Sequence, residues 1–169
     1  MRTTNRALGI AGMAAAVGML AAPMASEAAG EFLWPVSGRI TATTVYPGGW
    51  NHSYGSADIG AWYWTGIGAS RFGSAYAFWQ GGSCGYGVNI YHASGYRTLY
   101  CHMVRWPSVG GGRWVNFNQH IGYVGSTGNS TGPHLHLGIL RWGVRLAIPG
   151  IWFGKWVNRG WVAARYWGL

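Results

Sequence analysis

The chain has 169 residues and carries 12 Lys or Arg against three acidic side chains, for a formal charge of +9. That balance draws a protein to anionic surfaces, although the charge could also serve only to keep an aromatic-rich domain soluble. The basic residues are scattered among Trp and Gly, which argues against a helix that reads a nucleic-acid groove, and no Glu follows Glu31, which excludes a Glu base in the body of the chain.

Residues 1–29 open with Arg2 and Arg6, run apolar from Ala7 to Ala22, and end in the small-residue stretch Pro-Met-Ala-Ser-Glu-Ala-Ala. A charged start, a short apolar run and a small-residue exit read as a secretory signal. The run falls short of the ~20 residues needed to span a bilayer. Its removal leaves residues 30–169, a single-domain length, expected as a secreted, extracellular chain without stable membrane insertion and as a monomer. Export in turn argues against an intracellular nucleic-acid partner.

Strand signals dominate the mature chain. Residues 87–92 alternate, Ala93-Ser94-Gly95 turns, and residues 96–102 resume the alternation, which reads as a β-hairpin. Val109-Gly110-Gly111-Gly112 is a loop. Short strands are expected at 113–117, 120–124 and 134–140. With no βαβ rhythm and no repeat, the fold class is all-β: mainly antiparallel sheet with long loops. The tail, residues 142–169, is Trp-rich and basic, either a cover on the sheet or a wall-contacting surface. Cys84 and Cys101, the only cysteines, are expected to pair in an oxidising compartment. A Cys101–His102 catalytic dyad is disfavoured, since adjacent strand residues point to opposite faces.

Six histidines are present, at 52, 92, 102, 120, 134 and 136. In His134-Leu135-His136 the two imidazoles project from one strand face and Leu135 from the other. A His-x-His strand is one way to offer a metal a ligand and keep a second nitrogen beside it. Asp58 is the only carboxylate side chain beyond position 31 and lies six positions after His52. Two His and one Asp with an open fourth position make a hydrolytic zinc site. Without a Glu, the general base of such a site must be a histidine, and His102 and His134 are the candidates. His92 and His120 read as ordinary surface or turn histidines. Most of the aromatic residues read as core and strand-face packing, some as a substrate-groove lining.

Tyr96-Arg97-Thr98-Leu99-Tyr100-Cys101-His102-Met103 resembles a strand of the lysostaphin-type and β-lytic zinc endopeptidases. The stretch from Ile121 through Gly125-Ser126-Thr127-Gly128 to His134-Leu135-His136 resembles the most specific signature of that family. With His52 and Asp58, the resemblance runs from about residue 34 to 140. It implies that His52, Asp58 and His136 bind one Zn2+, and that His102 and His134 flank the attacking water and the developing oxyanion. It also implies an antiparallel sheet with loops walling a narrow groove.

One feature departs from the pattern: many members place the first His and the Asp four apart, whereas here they are six apart with Gly55 between, which requires a looped backbone. The stretch around His52 and Asp58 also resembles the first motif of zinc D-alanyl-D-alanine peptidases, but those use a downstream Glu that this chain lacks. The resemblance, together with export, implies a secreted peptidoglycan endopeptidase whose partners are peptidoglycan and anionic wall polymers. The alternative is an inactive wall-binding module or regulator of the same fold.

Overall fold

The hairpin expected over residues 87–102 forms, and the sheet is built outward from it. A computed structural model of the chain describes residues 30–43 and 55–166. The segment assigned to the signal, residues 1–29, and the expected ligand His52 lie outside the described residues. Among the described residues no α-helix forms, and no helix is long and apolar enough to cross a membrane.

The described residues form thirteen strands in chain order: β1 (Gly30–Leu33), β2 (Gly38–Thr43), β3 (Ser56–Gly60), β4 (Gly66–Gly68), β5 (Gly73–Gln80), β6 (Gly85–Tyr91), β7 (Tyr96–Met103), β8 (Arg113–Val115), β9 (His120–Tyr123), β10 (His134–Arg141), β11 (Val144–Arg145), β12 (Trp156–Val157) and β13 (Val162–Tyr166). The main sheet runs β12-β2-β3-β10-β7-β6-β5-β8, with β11 folded back on β10. Two small sheets, β1-β13 and β4-β9, complete the fold, and every pairing is antiparallel.

Alternation decides which side of the main sheet is dry. On β10, Leu135, Leu137 and Ile139 are buried, joined by Thr98 and Tyr100 of β7 and by Val88 and Ile90 of β6. Burying a Leu or Ile this fully stabilises by roughly 1.5–3 kcal/mol, so a one-residue slip would put the whole hydrophobic set in water. The opposite face, carrying the even-numbered residues of β10, is left for the site. The tail strands β11, β12 and β13 pair with β10, β2 and β1, so the tail adds strands to two of the sheets while its Trp142, Trp152, Trp156 and Trp161 remain exposed.

Three expectations are corrected by the structure. His92 is buried rather than exposed: Phe72 O is 2.7 Å from Nδ1, Thr98 Oγ1 is 2.9 Å from Nε2, and the Phe32 ring meets it edge-on. It follows β6 directly, on the core side, where the turn at 93–95 folds back. Tryptophan, by contrast, is mostly outside: of the ten Trp among the described residues only Trp34 is buried and the other nine are exposed. Most of them stand on loops and turns between the strands, only Trp79, Trp114 and Trp156 lying on strands, and the core is already filled largely by Ile, Val and Leu. His120, expected in a turn or at the surface, opens β9 half-buried.

Candidate functional site

Register brings the expected ligands together. Antiparallel pairing sets His136 of β10 opposite Asp58 of β3 and His134 opposite Gly60. Directly opposed residues share a face, so Asp58 and His136 meet: Oδ1 lies 2.9 Å from Nδ1. His134, two residues earlier on that face, places Nε2 3.5 Å from Asp58 Oδ2.

His102 reaches the same place by a different route. Between Tyr86↔Met103 and Val88↔Tyr100 the register shifts by one residue, so Cys101 and His102 both oppose Gly87, a β-bulge. Strict alternation would send His102 to the core side with Tyr100. Instead it adopts left-handed backbone, with φ 64°, a conformation uncommon outside Gly. Its ring turns toward the other histidines, with centroids 4.6 Å from His134 and 6.0 Å from His136. The expectation that Cys101 and His102 face opposite ways is therefore overturned by the bulge. No dyad results, because Cys101 is joined to Cys84 in the expected disulfide.

The loop after β9 fixes both candidate bases. Gly85, at φ 65° in the left-handed region, and Gly128 pack so closely that a Cβ on Gly128 would lie 2.3 Å from Gly85 N. This presses the Gly-Ser-Thr-Gly turn against the hairpin. Thr127 O then lies 2.8 Å from His102 Nδ1, and Gly132 O lies 2.8 Å from His134 Nδ1. A carbonyl can only accept, so each Nδ1 carries the hydrogen, and in the neutral ring each Nε2 keeps a lone pair. Thr127 also uses its hydroxyl, donating to Met103 O and accepting from Tyr86 N. Burial holds the His102 imidazole below its ordinary pKa; the hydrogen bond to Thr127 opposes this, His134 and His136 reinforce it, and Asp58 opposes it. His102 is thus neutral at neutral pH.

These groups line a cleft of about 560 Å³ with Asn129 and Arg145. Among the described residues no three His, Cys, Asp or Glu side chains form a complete metal-holding group. The chemistry of the donors nevertheless fits zinc: an imidazole nitrogen and a carboxylate oxygen 2.9 Å apart are the ligand types it takes. His102, Asp58, His134 and His136 are therefore gathered in one place. Sequence reasoning missed Thr127 as the group that orients His102 and missed Arg145 in the cleft. Thr127 stood inside the quoted motif, but a role played by its carbonyl leaves no trace in residue type.

The profile of Peptidase family M23 matches residues 52–147. The DD-carboxypeptidase/endopeptidase Mpg of Neisseria meningitidis is 49% identical over 59 residues, covering 34% of this chain and 13% of its own length. An uncharacterized metalloprotease of Haemophilus influenzae is 40% identical over 58 residues, covering 34% of this chain and 12% of its own. The chain thus spans a small fraction of these curated relatives. Among solved structures, the catalytic domain of the antimicrobial peptidase lysostaphin from Staphylococcus simulans superposes with a TM-score of 0.53 at 25% identity, over 67% of this chain and 88% of that one.

Proposed function

This chain belongs to Peptidase family M23, and on that premise we propose that it is a secreted zinc endopeptidase that hydrolyses peptide bonds of bacterial peptidoglycan. The observation that carries the reading is the Asp58–His136 donor pair flanked by two imidazoles, each with its Nδ1 tied to a carbonyl. Peptidases of this family are typically zinc enzymes. The residues that would hold the ion are His52, Asp58 and His136. When bound, zinc supplies Lewis acidity, which acidifies water and polarises a carbonyl.

The remaining work falls to His102 and His134. One Nε2 accepts the proton of the attacking water, and the other ring donates to the developing oxyanion only in its doubly protonated form, because its Nδ1–H is already given to a carbonyl. The proton so collected passes to the leaving amine, so the rings end as they began. Because both rings share a tautomer, either could be the base; burial of His102 favours its neutral form and suits it to accept. The two carbonyl anchors hold both rings in place before substrate arrives, which reduces the reorganisation needed in the transition state.

Secretion rests on the character of residues 1–29, and the wall as target rests on the family and on the charge, which after removal of those residues is about +8. The single mature domain, residues 30–169, is taken to act as a monomer. The test is turbidity loss of a bacterial wall suspension by purified mature protein, with chelator and then with zinc restored. Clearing that stops on chelation and returns with zinc supports the reading. Sedimentation with walls without clearing, chelated or not, would replace it with a wall-binding module.

A further inference from the structure

The cleft has a cationic end that the hydrolytic machinery does not use. Leu140 is in register with Arg97 of β7 on one side and with Arg145 of β11 on the other. Both arginines therefore stand on the face of β10 that carries His136. Between Leu140 and His136 lies Gly138, opposite Ser56 of β3. A Cβ on Gly138 would lie 2.8 Å from Arg145 Nη1, so the guanidinium occupies the space that the missing side chain leaves. There Nη1 donates to Ser56 Oγ at 2.6 Å. Arg145 is thereby held one alternation step, about 7 Å along the strand, from the Asp58–His136 pair, and it lines the same cleft.

This charge lacks an internal answer. Burial opposes the charged form of Arg145, and the neighbouring Arg97 adds to the cost. The chain has only three acids. Glu31 pairs with Arg165, Asp58 is engaged by His134 and His136, and Glu27 lies outside the described residues. Among the described residues neither Arg97 nor Arg145 has a carboxylate within ion-pair distance. A half-buried guanidinium fork with donors to spare beside a reaction centre matches the geometry of a carboxylate.

We propose that Arg145, backed by Arg97, binds a free carboxylate of the substrate within about two residues of the scissile bond, so that the enzyme selects acidic stem peptides over uncharged glycyl bridges. This rests on the peptidase reading given above. A terminal and a side-chain carboxylate share this chemistry.

The experiment uses zinc-loaded mature protein and synthetic stem-type peptides in matched pairs, with carboxylate or amide at the terminus in one pair and on a side chain in the other. Wild type should show a KM about 10-fold or more lower for the carboxylate member of one pair, and the pair concerned identifies the source. In Arg145→Gln that ratio should fall to near one. In Gly138→Glu, whose side chain enters the space that the guanidinium occupies and either displaces Arg145 or pairs with it, the ratio should also fall to near one. A wild-type ratio near one for both pairs, or a ratio that survives both substitutions, overturns the subsite. Cleavage of no peptide in either form would overturn the peptidase reading itself, and the subsite with it.

Discussion

The Asp58 carboxylate and the His136 imidazole face each other across β3 and β10, Oδ1 2.9 Å from Nδ1, while His102 reaches the same cleft without touching that pair through a hydrogen bond. On the proposed reading this separates metal holding from proton transfer. Asp58→Asn keeps the shape but removes the charge, and His136→Ala removes the nitrogen. Each is expected to lower zinc content and wall clearing together, by more than the 10–100-fold typical of a partner one shell further out. His102→Ala should retain zinc and lose about 10²–10⁴-fold in rate. Metal analysis and clearing rates on the same preparations check this. Full activity in His102→Ala would remove its assignment as base.

The bulge that turns His102 into the cleft is braced from one side by the Cys84–Cys101 disulfide and by His102 N–H donating to Cys84 O at 2.7 Å. Closing a loop of 17 positions contributes about 3 kcal/mol in the chain-entropy account. The paired Cys84→Ala, Cys101→Ala variant is therefore expected to unfold at lower denaturant. It should also lose kcat at temperatures where it is still folded, with KM less affected, because the strained His102 backbone is freed to relax. Denaturant curves and steady-state kinetics at 15 °C separate the two effects. Undiminished kcat in the folded variant would show that the disulfide only stabilises.

Much of this is legible in the sequence. The alternation in residues 134–140 fixed which His face the cleft, since Leu135 and Leu137 can only go inward. The turn at 93–95 fixed the central hairpin. Asp58 stood out because the chain has so few acids. What was not legible depended on exceptions to alternation and on tertiary partners. The bulge at Cys101-His102 breaks the period by one residue, and no residue type announces it. The partner of Arg145 lies 89 positions away at Ser56, brought near only by the β3-β10-β11 order. The strand expected at 113–117 stops at Val115, followed by Asn118 in left-handed backbone, a position that Asn tolerates better than most.

His92 reads as a spare histidine in the sequence and is buried and hydrogen-bonded through both ring nitrogens in the fold. Burial brings its pKa down to about 4; the hydrogen bond from its ring to Phe72 O opposes the shift and the nearby Arg71 adds to it. In the unfolded chain an imidazole titrates near 6.5. Between those values the unfolded chain holds a proton that the folded chain does not, so the unfolded state gains as pH falls. The contribution of His92 is fully present above about pH 6.5 and is lost progressively down to about pH 4, on the order of 3 kcal/mol in all. His92→Gln can keep both contacts, its amide donating to Phe72 O and accepting from Thr98, and it does not titrate. Urea unfolding of the chelated proteins at pH 7.5 and 4.5 should show wild type losing more stability than the variant, by up to that amount. Chelation in both arms keeps metal release out of the comparison. Equal losses in the two proteins would mean that the imidazole is not held neutral by its burial, and that acid sensitivity arises elsewhere in the sheet.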